Sequence, residues 1–158
     1  PQAEALLRRV QIRCAADIAR LLGTEMGALP QEQLRVVLLT TTRHVIGTPI
    51  VYQGTVNAAP VRPAEVFRPA IVENAPAIVV AHNHPSGSLD PSQDDLALTR
   101  TLVAAGNLLD IRVLDHIILA GDGFTSLREQ LPNFDWVTGS TLRLADTSGQ
   151  GSRPVLDP

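Results

Sequence analysis

A chain of 158 residues, 44% of them hydrophobic, can bury one core, and with aromatics at 3% that core must be built from Leu, Val, Ile and Ala, which suits aliphatic strands packed on helices. A formal charge of −3 supplies no general cationic field, so the charge balance argues against a broad phosphate-backbone footprint. The single Cys14 cannot close an internal disulfide, and nothing resembles a signal peptide or an apolar span of about 18 residues, so the expectation is a soluble, cytoplasmic protein without a membrane association.

Taken in order, Ala3 to Val10 and Cys14 to Leu22 read as two short helices, with Leu6, Leu7 and Val10, then Ile18, Leu21 and Leu22, at helical spacing and Gly23 as a stop. A turn between Gly27 and Pro30 leads to a strand over Leu34 to Leu39. Thr40 to Arg43 then turns into His44 to Ile46, and Ile50 to Val56 follows, which together predict an antiparallel meander. A helix is predicted from about Ala64 to Asn74, with Val66, Phe67, Ala70 and Ile71 as its apolar stripe and Pro63 near its start. Pro69 lies deep enough inside it to kink or split it. Ala77 to Ala81 has no polar face and reads as a strand buried on both sides. Gln93 to Ala105 is a helix carrying Leu96, Leu98, Leu102 and Val103 and ended by Gly106. Arg112 to Leu119 is a strand, Gly121-Asp-Gly123 a hairpin turn, and Phe124 to Leu127 pairs back. Phe134 and Trp136 can pack on the domain, whereas Gly139 to Pro158 lacks periodicity and predicts a mobile tail. No internal repeat is visible.

The chemistry concentrates where the buried strand ends, in His82-Asn-His84-Pro-Ser-Gly87 and the following Ser92 and Asp95. Strand side chains alternate, so His82 and His84 point the same way. Pro85-Ser-Gly87 and Asp90-Pro91 turn the chain, and a helix starting near Ser92 returns Asp95 beside the strand end. Two imidazoles and one carboxylate suit zinc and leave its fourth position open, as catalytic sites do. The plain structural alternative is a capping box, with Ser92 at the N-cap and Asp95 near the positive helix end, beside two structural histidines. His116, on its strand, is a fourth ligand, a support behind a ligand, or a hydrogen-bonded core residue; the last is favoured because three ligands and a water already complete the site. His44, near a turn, reads as solvated.

At these residues the sequence resembles the JAMM (MPN-type) metalloproteases, and among them the bacterial RadC proteins. Ala81-His-Asn-His-Pro-Ser-Gly87, Pro91-Ser92 and Asp95 are similar to the RadC form of the JAMM motif. Gln53-Gly-Thr-Val-Asn57, Pro63-Ala-Glu-Val-Phe67 and Arg112-Val-Leu-Asp-His116 fall where RadC sequences have similar stretches, so the resemblance covers about residues 15 to 130. It implies an α/β (α+β) domain of the cytidine-deaminase-like JAMM/MPN fold, a mixed, mostly antiparallel sheet flanked by helices. Residues 1–23 would form an N-terminal helical segment, 24–131 the JAMM/MPN domain and 132–158 a largely flexible extension. The chain opens on Pro1 rather than Met, and RadC-like proteins usually carry an upstream helical, DNA-binding-type segment, expected to be missing here.

The resemblance also weights Glu32. On charge alone it is an ordinary solvated glutamate, but JAMM enzymes use a glutamate at the start of this strand as general acid/base; Glu65 and Glu73 compete only from a helix whose role is packing. The expected activity is hydrolysis of a peptide or isopeptide bond in a peptide or protein substrate, including a ubiquitin-like conjugate, with Zn2+ held by His82, His84 and Asp95. Ser92 would bind the oxyanion or orient the water while also capping its helix. Three rivals stand beside it. The RadC name suggests a DNA-repair factor, which rests on family analogy and not on these residues. The fold could serve as an interaction module, against which an intact ligand set weighs. Two histidines and a carboxylate also make the facial triad of a non-heme iron oxygenase. Oligomeric state is left open by the sequence.

Overall fold

The structure, a computed structural model, describes residues 2–54 and 61–139; the expected end of the third strand at Val56 and the expected tail from 140 onward lie outside the described residues. Helices α1 (Gln2–Leu7) and α2 (Ala15–Met26) precede strands β1 (Glu32–Leu39), β2 (Val45–Gly47) and β3 (Ile50–Gly54). Then come α3 (Pro63–Val72), β4 (Ala77–Asn83), α4 (Gln93–Leu109), β5 (Arg112–Ala120), β6 (Gly123–Ser126) and α5 (Leu127–Gln130). The sheet runs β2-β1-β4-β5-β6, with β3 also on β1, and only β4 and β5 are parallel. Parallel neighbours need a crossover, and α4 provides it. This is the mixed, mostly antiparallel sheet flanked by helices that the resemblance implies.

β4 lies between β1 and β5, and all seven of its residues are buried, which is why it reads as an unbroken apolar run. Alternation divides it between two cores. Ile78 and Val80 join Val66, Phe67, Leu102 and Val103 from α3 and α4, whereas Val79 and Ala81 join Ile18, Leu22 and Met26 from α2. His82 continues the first series, so the strand delivers it to the face that α4 covers.

Several expected boundaries move for identifiable reasons. The first helix stops at Leu7, because the Val10 carbonyl accepts from the Val45 N–H and Gln11 bridges to His44. α2 runs through Gly23, since Ile18, Leu22 and Met26 at successive turns all bury on the sheet. The expected meander is instead one interrupted return strand: β3 pairs with residues 32–35 of β1 and β2 with residues 38–39, on the edge opposite β4, and the Pro49 carbonyl accepts from Val36 between them. α3 is not split at Pro69, and Ile71 of its predicted stripe is 58% exposed. α4 passes through Gly106 to Leu109 and ends on Asp110 in the left-handed region, φ 56°. Gly106 is needed for closeness, since a Cβ there would overlap the Ile111 carbonyl oxygen and press on Phe67. α5 was not expected; Ser126 caps it by accepting from the Glu129 N–H. Phe134 and Trp136 are buried and stack edge to face, with centroids 5.1 Å apart.

Candidate metal centre

Three elements bring the site together. His82 is the penultimate residue of β4, and His84 follows the strand, held by its N–H to the Leu119 carbonyl of β5. Their Nε2 atoms lie 2.9 Å apart. Asp95 sits in the first turn of α4, where the capping box fixes it: the Ser92 hydroxyl oxygen accepts from the Asp95 N–H at 3.0 Å, and Asp95 Oδ2 accepts from the Ser92 N–H at 2.8 Å. From there one carboxylate oxygen faces each imidazole, Oδ1 at 3.1 Å from His82 Nε2 and Oδ2 at 3.1 Å from His84 Nε2. Capping and contact with the histidines are therefore compatible in one side chain. Ser92 is exposed and joins the cluster through Asp95.

Hydrogen bonds behind the rings determine what those nitrogens present. His84 Nδ1 lies 2.8 Å from the Ser88 carbonyl, which can only accept, so Nδ1 carries the proton and a neutral His84 turns a lone pair inward. Gly87, at φ 85°, makes the turn that brings that carbonyl back over the ring. Behind His82, Nδ1 lies 2.7 Å from Nε2 of His116, which is 1% exposed. His116 has both ring nitrogens in hydrogen bonds, the second to Thr99 Oγ1 at 2.7 Å, so it backs His82 and does not face the centre.

A carboxylate and two imidazole nitrogens thus converge within 3.1 Å of one another, a donor set that fits a cation between them. In the metal-free protein the proton plays that part. Burial pushes the Asp95 carboxyl up, but the bonds from His82 and His84 outweigh it and hold it far below the ordinary carboxylate range; Asp95 in turn raises His84. Burial, followed by the charge of His82, lowers His116 to about 3, so it is neutral. The separations also fit a metal. Ligand atoms on a tetrahedral zinc, with bonds of about 2.0–2.1 Å, stand about 3.3 Å apart, close to the observed 2.9, 3.1 and 3.1 Å.

Glu32 arrives from fifty residues away through strand pairing. β1 and β4 are antiparallel with Leu34 opposite His82, so the same register sets Glu32 opposite His84. Its carboxylate lies within 4.8 Å of a nitrogen on each histidine, and Glu32, His82 and His84 form a possible metal-binding cluster among the described residues. Two carboxylates therefore approach the same imidazole pair. Asp95 touches both nitrogens from a rigid helix start, whereas Glu32 is half-buried at the entrance of β1. What fixes that entrance is Asn83, 1% exposed, whose Oδ1 accepts from the Gln33 N–H at 2.7 Å and whose Nδ2 donates to the Gln31 carbonyl at 2.8 Å. Both anchors flank Glu32.

Sequence reasoning missed Asn83 and Thr99. Thr99 was visible as the residue one turn after Asp95; Asn83, between the two histidines, gave no signal of its partners. Glu65 and Glu73 are exposed on or just after α3 and take no part, and Glu65 pairs with Arg62 at 3.7 Å. His44 is half-buried rather than solvated, with Nδ1 2.9 Å from Thr42 Oγ1.

Comparison with known proteins gives one consistent picture. The model of the RadC family, described as a RadC-like JAB domain, matches residues 12–132. A UPF0758 protein of Chloroflexus aurantiacus is 48% identical over 131 residues, which cover 83% of this chain and 57% of that protein. A UPF0758 protein of Chloroflexus aggregans is 50% identical over 127 residues, covering 80% and 56%, and one of Moorella thermoacetica is 47% identical over 124, covering 78% and 54%. The chain spans about half the length of the curated relatives it matches. Among the described residues no helix is long and apolar enough to cross a membrane.

Proposed function

The chain belongs to the RadC-like JAB domain family, and on that premise we propose that it is a zinc-dependent hydrolase of a peptide or isopeptide bond. The observation that carries this reading is the placement of one Asp95 oxygen against each Nε2 of His82 and His84, with a second carboxylate, Glu32, within 4.8 Å of both rings and outside the helix cap. His82, His84 and Asp95 hold the ion, and Glu32 is left to move protons. A zinc ion held there would supply Lewis acidity, polarising a carbonyl and lowering the pKa of a water to about 7. Zinc rather than iron follows from the resemblance to the JAMM metalloproteases, and metal analysis tells the two apart.

The chain's own groups then divide the work. Glu32 takes the proton of the attacking water as its oxygen adds to the substrate carbonyl carbon. When the carbon–nitrogen bond breaks, the same carboxyl returns that proton to the leaving amine. Ser92 already accepts from the Asp95 N–H, so its own hydroxyl proton remains to donate to the oxyanion, a contribution of about 3 kcal/mol where such donors act. Its exposure at the helix start leaves it accessible to a substrate chain.

The test is the change Glu32→Gln, which keeps size and polarity and removes the base. Zinc content should stay as in the wild type, while turnover of a panel of isopeptide-linked and linear peptides falls ~100-fold to ~10,000-fold. Unaltered hydrolysis rejects the role of Glu32, and loss of zinc makes it a ligand.

A further inference from the structure

Behind the candidate ligands lies a chain of three direct contacts. His82 Nδ1 stands 2.7 Å from His116 Nε2, His116 Nδ1 2.7 Å from Thr99 Oγ1, and Thr99 Oγ1 2.7 Å from the Asp95 carbonyl oxygen. His116 and Thr99 are each 1% exposed. Only one placement of protons makes all three contacts hydrogen bonds. The carbonyl has no proton, so the Thr99 hydroxyl donates to it and its oxygen must accept from His116 Nδ1–H. A neutral His116 then has a bare Nε2, which accepts from His82 Nδ1–H. His82 is left with Nε2 as the nitrogen directed at Asp95 and His84, where a proton shared with the Asp95 carboxylate stands until an ion replaces it.

From this geometry we infer that Thr99 and His116 are positioning residues that hold a proton on His82 Nδ1, so that Nε2 is the nitrogen left to the centre. The relay begins and ends on elements that carry the site: Asp95 supplies both the carboxylate in front of His82 and the backbone carbonyl that sets the last proton behind it. β5 places the ring through an irregularity. Ile78 pairs with Val113 but Val79 pairs with Asp115, so one extra residue, Leu114, is accommodated and His116 falls opposite Val80, on the face that also carries His82. Without the bulge, Ala81 would take His116 as its partner and the ring would face α2. The zinc arm of this inference rests on the metal reading above; the tautomer arm does not.

Thr99→Val tests it, because valine keeps the shape, touches neither ligand nitrogen and removes the acceptor for His116 Nδ1–H. Freed of that partner, His116 can carry its proton on Nε2 and donate to His82 Nδ1, which confines the last proton of His82 to the nitrogen that should face the ion. Thr99→Ser restores the hydroxyl. In chelator-treated protein, nitrogen-15 spectra of the imidazoles should show His82 Nδ1 protonated in the wild type and in Thr99→Ser, with a His82 Nδ1 that has lost its proton appearing in Thr99→Val. Zinc affinity, by competition with a chromophoric chelator, should fall 10- to 100-fold, the range for lost outer partners of a metal ligand, and recover in the serine variant. Thermal melts establish that each variant is folded. An unchanged tautomer or an unchanged zinc affinity in folded Thr99→Val overturns the inference. A wild type that binds no zinc but shows the predicted tautomers rejects the metal reading and leaves the relay standing.

Discussion

In metal-free protein, acidification from pH 6.5 to about 4.5 acts on one buried imidazole. His116 holds its pKa at about 3 against an ordinary 6.5, chiefly through burial. Across that window the unfolded chain takes up a proton that the folded chain refuses, so the His116 contribution to stability falls as pH drops from 6.5 toward 3. The other shifted groups act elsewhere or in the opposite sense. His84 is raised, so its contribution is complete below 6.5 and is lost only as pH rises above that. Asp95, Asp17 and Asp135 are lowered, so theirs are present above 3.8 and lost only below it. Asp115 is raised by burial and offsets part of the fall just above 3.8. At about 1.36 kcal/mol per pH unit, and with the unfolded imidazole already half-protonated at the upper limit, the loss over this window is about 2 kcal/mol. Urea denaturation in chelator at both pH values reads this as a difference from His116→Gln, in which the His116 part of the slope disappears. Equal pH dependence in wild type and variant would refute the assignment of a buried, neutral His116.

Asn83→Ala removes both bonds that hold the backbone around Glu32; urea denaturation should show a loss of about 1–3 kcal/mol, and peptide turnover should fall with zinc content unchanged. Gly106→Ala should lower the melting temperature by about 3–10 °C, as overpacking by about 1–3 kcal/mol does in a domain of this size, because the new methyl meets the fixed Ile111 carbonyl and not a flexible side-chain end.

What could be read in the sequence was what is local. His82, His84, Ser92 and Asp95 lie within one strand end, one turn and one helix start, so periodicity and capping chemistry suffice to bring them together. Glu32 is placed by the β1–β4 register, a long-range pairing that left only the family resemblance to point to it. The orientation of His116 depends on the bulge at Leu114, for which the strand pattern from Arg112 gives no sign. Glycine does not mark the helix ends: the helix holding Gly23 continues because Met26 beyond it is buried in the core, and the one holding Gly106 runs on to Leu109 and ends on Asp110 in the left-handed region. The interrupted strand opposite β1 was read as two partners of a meander because Thr48-Pro49 breaks the run without turning it away.

The central claim is that His82, His84 and Asp95 hold a zinc ion, and metal analysis of protein purified without chelator tests it most directly. The account predicts one zinc per chain in the wild type and loss of most of it in His84→Ala, since that change leaves the Asp95 Oδ2 atom without its imidazole partner at 3.1 Å. Full zinc occupancy in folded His84→Ala, or iron as the native metal, would contradict it.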